Sequence, residues 1–288
     1  MEIIAPAKIN LILRVLGKRG DGYHELESVM QQLTIADVLR IEDDDELRFT
    51  CSEPALAGPD NLVMRAARLL CRHCAVRRGA RIHLEKHVPV QAGLGGGSSD
   101  AATALSALNE FWKLHLTLDE LKVLAAELGS DVPFFLNGPS AVVRGRGEEV
   151  TPFTHDARCH IVLAKPSAGL STPQVYANLH ASSLPQANSS KLQQETSAML
   201  SALQVGDCAR IARALVNDLQ EPAFALLPEL ARLRECMLAQ GCLGVLLCGS
   251  GSTLFGICPD EATARHAELE LAYVCSWAWS GAWGRSEH

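Results

Sequence analysis

The stretch that most constrains this chain is GLGGGSSDAATAL at residues 93–105. Glycines open backbone conformations that other residues rarely adopt. Here they stand between two strongly patterned segments. Before them, ARIHLEKHV (80–88) alternates Ile82, Leu84 and Val88 against His83, Glu85 and His87, the period of a strand. After them, Ala101, Ala104, Leu105, Leu108 and Trp112 share one helical face. The chain must therefore form a strand, a glycine loop and a helix in succession. Two readings of that junction stay open. The unpaired N–H groups of the helix start suit a phosphate, with glycines letting it come close. Alternatively Ser98, Ser99 or Asp100 caps the helix and the glycines only link it.

Spacing excludes two familiar phosphate loops. No lysine follows the glycines, so the G-x-x-x-x-G-K-[ST] loop is absent. Counting from Gly93 or Gly95, the sixth residue is Ser98 or Asp100, so the G-x-G-x-x-G fingerprint of dinucleotide enzymes fails as well. A nicotinamide-dependent oxidoreductase is set aside on that ground.

Other marked residues surround this loop in the sequence. PAKINLILRVLG (6–17) reads as a strand, with Ile9, Leu11, Leu13 and Val15 alternating against Asn10, Ile12 and Arg14. It carries Lys8 and Asn10 on one side, either as site residues or as an exposed sheet edge. GKRGDGYHE (17–25) is a turn. LVMRAARLLCRHCAV (62–76) has helical spacing, and TLDELKVLAAELG (117–129) opens with a capping box, Thr117 to Glu120, and stops at Gly129. GSDVPFFL (129–136) places Asp131 between a helix end and an apolar run. HIVLAK (160–165), GVLLCG (244–249) and TLFGIC (253–258) read as strands, the last two joined by a Gly-Ser turn. Helices are expected over about 191–203, 228–240 and 260–272, and a last strand over 273–279. A polar stretch, ASSLPQANSSK, covers 181–191.

With 288 residues the chain exceeds the usual single domain of about 100–200 residues. We expect an α/β domain over 1–154 and an α+β domain over 155–288. A net charge of −7 argues against a nucleic-acid partner, which would call for a basic stripe. No apolar run approaches the ~20 residues needed to span a bilayer, and MEIIAPAKINL does not read as a signal peptide. A bacterial cytoplasm is the expected location. The ten cysteines are scattered; only Cys71 and Cys74 have metal-like spacing, and no second pair answers them. Ordinary thiols are expected throughout, and no metal ligands are assigned.

Together PAKINL, PVQAGLGGGSSDAA, GSDVPFF and GVLLCGSGST, in this order, resemble the GHMP small-molecule kinases over nearly the whole chain. The resemblance implies a two-domain fold, with an N-terminal domain like ribosomal protein S5 domain 2 and a ferredoxin-like C-terminal domain. ATP would lie between them as co-substrate, with Mg²⁺ bridging its phosphates. The phosphates would be wrapped by Pro89, Val90, Gln91, Ala92, Gly93, Leu94, Gly95, Gly96, Gly97, Ser98 and Ser99. Asn61 and Leu62 match a segment on the adenine side. Asp131 matches the catalytic base and Lys8 its cationic partner.

GKRGDGYHELESV (17–29) and the three-glycine loop resemble members acting on a cytidine diphosphate-linked methylerythritol, phosphorylated at its 2-hydroxyl. In those, Asn10 would bond the erythritol, and Tyr23, His24 and Tyr176 would hold cytosine between two tyrosine rings. Met30 departs from a frequent Phe, which would soften one wall, and SWAWSGAWGRSEH at the end matches nothing. Rival readings are a kinase of homoserine, mevalonate or a sugar, and a catalytically silent nucleotide binder. Monomer and homodimer both stay open.

Overall fold

The computed structural model describes residues 1–179 and 190–283. The first half of the chain runs β1 (Glu2–Lys18), β2 (His24–Glu42), β3 (Leu47–Cys51), α1 (Leu62–His73), β4 (Ala80–Glu85), α2 (Gly96–Phe111), α3 (Leu118–Leu128), α4 (Val132–Phe135), β5 (Ser140–Gly145) and β6 (Glu149–Pro152). The second half runs β7 (His160–Lys165), α5 (Thr172–Ala177), α6 (Ser190–Val205), α7 (Cys208–Arg213), β8 (Val216–Asn217), α8 (Gln220–Leu226), α9 (Glu229–Ala239), β9 (Gly244–Leu247), β10 (Leu254–Cys258), α10 (Glu261–Leu271) and β11 (Trp277–Ala282).

These elements form two compact units, and neither is one stretch of sequence. The first comprises Met1–Ala7, Ile35–Val90 and Gly95–Gly138; the second comprises Lys8–Thr34, Gln91–Leu94 and Pro139–His288. The boundary expected near residue 154 falls inside the second unit. Long strands explain the interleaving: β1 and β2 each pass from one unit to the other along the chain.

In the first unit, strands in the order β3-β4-β2-β1 carry α1, α2 and α3. Leu39, Ile41, Ile82 and Leu84 from the strands meet Leu70 of α1, Leu105 and Leu108 of α2, and Leu124 of α3. All eight are buried. Each such side chain contributes about 1.5–3 kcal/mol. The helices start and stop where the sequence signals it. Asn61 caps α1 by accepting from the Val63 N–H, and Thr117 and Glu120 form the reciprocal box on α3.

In the second unit, β8 pairs parallel with β1, and β5 pairs antiparallel with β2 and β6. A separate antiparallel sheet has the order β11-β7-β10-β9. Ile12 stands beside Val216, Leu254 beside Leu247, and Trp279 beside Leu163. Arg14 of β1 ties the unit together through Glu195 (2.7 Å) and Asp218 (2.5 Å). Burial acts to lower the Arg14 pKa, but hydrogen bonds and charge from the two acids outweigh it, so the net shift is upward.

Several expectations are corrected. The last strand is Trp277–Ala282 rather than 273–279, because Tyr273 and Val274 lie in an exposed turn after α10. The terminal tryptophan-rich segment completes the sheet, and Trp283 is buried against the fold with a bridge to Leu33. Cys159 and Cys208 are not free thiols; they form a disulfide across 49 residues of sequence. That separation hides the pair from any reading of spacing. Most of the polar stretch at 181–191 lies outside the described residues. Among the described residues, no helix is long and apolar enough to cross a membrane.

Candidate active site

Lys8 and Asn10 do not lie on an exposed edge. Strand β1 is buried on both faces through its middle, and the two side chains are only 3 % and 1 % exposed. Burying an ammonium demands polar partners. Lys8 Nζ donates to Asn10 Oδ1 at 2.8 Å and to the Gly93 carbonyl at 3.2 Å. Asn10 Nδ2 donates to Ser28 Oγ at 2.8 Å, and Ser28 Oγ donates to the Ile12 carbonyl at 2.6 Å. The chain of donors fixes the Asn10 amide: its NH₂ must face the serine, so its oxygen must face the lysine.

The second glycine segment, CGSGST, closes around the same lysine. A Cβ added to Gly249 would lie 3.1 Å from the Gly93 carbonyl and 3.4 Å from Lys8 Nζ. One added to Gly93, at φ +75°, would lie 2.0 Å from the Cys248 carbonyl oxygen. Both glycines are therefore demanded by close approach. Asn217 holds the segment by donating to the carbonyls of Leu247 (2.9 Å) and Gly249 (2.8 Å). The Lys8 N–H donates to the Leu94 carbonyl at 2.9 Å, and the Thr253 N–H donates to the Ala92 carbonyl at 3.3 Å.

In the first unit the glycine loop opens α2. The N-cap is Gly95 in the left-handed conformation, with no side-chain cap. Ser98, Ser99 and Asp100 lie inside the helix, so the capping alternative is overturned. Gly96 and Gly97 occupy its first turn, which leaves N–H groups there without helical acceptors. Gly97 is exposed. Pro89 is half-buried, and Val90 and Gln91 are exposed.

Beneath that turn sits a group whose pairing the sequence did not announce. Lys86 Nζ donates to Asp37 Oδ2 and, at 2.8 Å, to Asp100 Oδ2. Asp37 Oδ1 also accepts from the N–H groups of His87 (2.6 Å) and Val88 (2.8 Å). Burial pushes the Asp100 carboxyl up to about 7; Lys86 opposes this and Asp37 adds to it. Gly96 leaves room for Lys86, since an added Cβ would stand 3.3 Å from Nζ.

Asp131 is half-buried at the head of α4, whose Val132, Pro133 and Phe134 are buried. Asn61 uses both ends of its amide locally, accepting from Val63 and donating to the Leu56 carbonyl at 2.9 Å. Leu62 approaches Gly97 closely enough that an added Cβ there would lie 3.6 Å from its Cδ1.

Tyr23, His24 and Tyr176, expected at the site, lie in the second unit. The His24 ring stacks on Tyr176, with centroids 4.7 Å apart and planes 29° apart. Beside them in sequence, the Tyr23 ring lies under the Arg146 guanidinium. Burial, and then the charge of Lys18, lower the His24 pKa, which keeps its ring neutral near pH 7. Met30 is buried opposite Ala141.

The chain matches the model of the GHMP kinase N-terminal domain over residues 61–139 and that of the GHMP kinase C-terminal domain over 199–276. The chain belongs to the GHMP kinases. Among relatives in this family, 4-diphosphocytidyl-2-C-methyl-D-erythritol kinases from Geobacillus kaustophilus and Shouchella clausii are 42 % and 43 % identical. The matches cover 96 % and 95 % of this chain, and 94 % and 91 % of those proteins. A crystal structure of 4-(cytidine 5'-diphospho)-2C-methyl-D-erythritol kinase superposes with a TM-score of 0.85 at 38 % identity, covering 99 % of this chain and all of that one (100 %). A homoserine kinase from Cytophaga hutchinsonii, at 18 % identity and TM-score 0.73, shares the fold, covering 98 % of this chain and 93 % of its own. These matches bear out the two-domain kinase fold expected from the four motifs.

The sequence held one signal for the residues around Lys86. Asp37 and Lys86 look ordinary in sequence, and Asp100 was marked only as a possible helix cap. Only Gly96, a glycine inside a helix, hints that something needs its space.

Proposed function

We propose that this GHMP kinase transfers the γ-phosphoryl group of ATP to the 2-hydroxyl of 4-diphosphocytidyl-2-C-methyl-D-erythritol, the substrate named by its relatives. The observation that carries this reading is the buried Lys8 ammonium, held against the carbonyl of Gly93 in the glycine loop. Such a charge, on a strand and already desolvated, stabilises developing negative charge more strongly than it would in water.

Phosphoryl transfer asks a protein mainly for positioning and charge. Asp131 would accept the proton of the 2-hydroxyl as its oxygen bonds to phosphorus. Lys8 would offset the charge on the reacting oxygens. The first turn of α2 would offer the N–H groups of Gly96, Gly97 and Ser98 to the phosphates, with the exposed Gly97 letting them near. Asn10 has committed one donor and one lone pair to Ser28 and Lys8. Its second N–H and second lone pair are what it would offer the erythritol.

Mg²⁺ would partly neutralise the phosphate charge. Among the described residues no three His, Cys, Asp or Glu converge on a metal position. Mg²⁺ does not need them, because it keeps waters and takes phosphate oxygens with one or two protein oxygens. Ser99 Oγ fits that sparse set. It is buried at the head of α2 without a hydrogen-bond partner.

Tyr23, His24 and Tyr176 would receive the cytosine. A flat base wants aromatic faces and a hydrogen-bonding edge. A neutral His24, its ring already stacked, keeps both a donor and an acceptor nitrogen.

The test is ADP release from Mg-ATP with the cytidyl substrate, homoserine, mevalonate and galactose in parallel. Release with the cytidyl substrate alone is expected. Release with another alcohol would discard the cytosine assignment and keep the kinase.

A further inference from the structure

The turn between β5 and β6 carries Arg146 and is closed by the Glu148 carboxylate. Gly145 and Gly147 take φ values of +70° and +128°, open to glycine and strained for other residues. The Gly147 N–H donates to the Arg144 carbonyl at 3.1 Å, and the Arg146 N–H donates to Glu148 Oε2 at 2.6 Å. Arg146 is thus presented, half-buried, at the tip of a closed turn. Its guanidinium carbon lies 5.0 Å from the centre of the Tyr23 ring.

Tyr23 sits in a turn that is closed as firmly. The Arg19 N–H donates to the Tyr23 carbonyl at 2.8 Å, and the Tyr23 N–H donates to Asp21 Oδ1 at 3.1 Å. Asp21 in turn pairs with Arg19 at 3.2 Å. The backbone is fixed, and Tyr23 is 50 % exposed, so half of the residue stays open to solvent. Both turns belong to the second unit.

We propose that Arg146 is a positioning residue for substrate recognition: it clamps the Tyr23 ring from one face and so holds the other ready for the cytosine. This rests on the reading of Tyr23 given above. A cation within ~6 Å of an aromatic centroid is attracted to the π face. A ring ordered before binding spares the complex part of the entropy it would otherwise lose. Arginine suits this better than lysine because its planar group lies flat on the ring. The effect belongs to the cytidyl half of the substrate and leaves ATP untouched.

The experiment compares Arg146→Met, Arg146→Lys and Tyr23→Ala. It measures kcat, both KM values, and the binding of cytidine 5'-diphosphate by titration calorimetry with ADP saturating. Arg146→Met is expected to raise the cytidyl KM and the cytidine diphosphate Kd roughly two- to fivefold, the span of an exposed cation–π contact. The KM for ATP and kcat stay within about twofold, and Arg146→Lys recovers part of the loss. Tyr23→Ala gives an equal or larger loss. If Tyr23→Ala weakens binding and Arg146→Met does not, the clamp is overturned and the cytosine assignment stands. If neither weakens binding, both fall. If Arg146→Met lowers kcat and raises both KM values together, its role is in the fold, and the proposal is overturned.

Discussion

Lys8 Nζ lies 2.8 Å from Asn10 Oδ1, two residues along the same strand, with both side chains buried. A strand places residues i and i+2 on one face, so this contact is written into PAKIN. What the contact achieves is an ammonium fixed in orientation before any ligand arrives. Lys8→Met is therefore expected to lower kcat by roughly 10²–10³-fold, the scale for one lost electrostatic stabiliser. Steady-state kinetics with Mg-ATP checks this. Turnover within a factor of about three of wild type would remove Lys8 from the chemistry.

Asp131→Asn keeps the size of the side chain and removes its basicity. Turnover is expected to fall by roughly 10²–10⁴-fold, while binding of ATP, read by calorimetry, changes little. A variant that turns over normally would need another base.

Gly97 separates the needs of the fold from those of the ligand. It is exposed, an added Cβ there meets only Leu62 at 3.6 Å, and helices prefer alanine to glycine. Gly97→Ala should therefore leave stability equal or raise it by a few tenths to about 1 kcal/mol. It should nevertheless raise the KM for ATP severalfold, because the methyl stands where a phosphate would approach. Urea unfolding and kinetics on one preparation test both halves.

Lys86 bears on stability rather than chemistry. Its ammonium pairs with two carboxylates, Asp37 and Asp100, whose side chains are 0 % and 4 % exposed. Lys86→Met leaves both carboxylates without their cation. A loss of about 3–5 kcal/mol is expected, the range for breaking a buried ion pair from one side. The urea midpoint measures it. Lys86→Met with wild-type stability would show that the pairs contribute nothing.

Much of this was readable in the sequence where the pattern is local. The helix after the glycine loop, the capping box at Thr117 and the strands at 244–249 and 253–258 all form as their residues predict. So does the family, from four short motifs. What was not readable is what distant segments do to one another. HELESVMQQLTIADVLRIE forms a 19-residue strand that the sequence did not announce. Its first half is buried on both faces, which erases the two-residue alternation. The Cys159–Cys208 bond, the two carboxylates around Lys86 and the interleaving of the two units depend on chain closure over tens of residues. At the site, Lys8 and Asn10 were marked by polarity in an apolar run. Ser28, which orients the Asn10 amide, carried no signal.

His24 gives a pH dependence with a definite sign. Burial, helped by Lys18, lowers its pKa below the usual histidine value, so the folded protein favours the neutral ring. The stability this represents is present above about pH 6.5 and is lost as pH falls through the lowered pKa. Protonation also removes the acceptor nitrogen offered to cytosine. The KM for the cytidyl substrate is expected to rise as pH falls below about 6.5, with the KM for ATP moving less. His24→Gln, which keeps a donor and an acceptor, should flatten that rise. An identical profile in wild type and variant would show that another group titrates.

The most direct test follows the transferred phosphorus itself. Phosphorus NMR of the protein with Mg-ATP and 4-diphosphocytidyl-2-C-methylerythritol should show a new monoester resonance growing in step with ADP, while the two diphosphate resonances of the cytidyl substrate persist. Formation of ADP with inorganic phosphate and no monoester, or no consumption of ATP, would contradict the account.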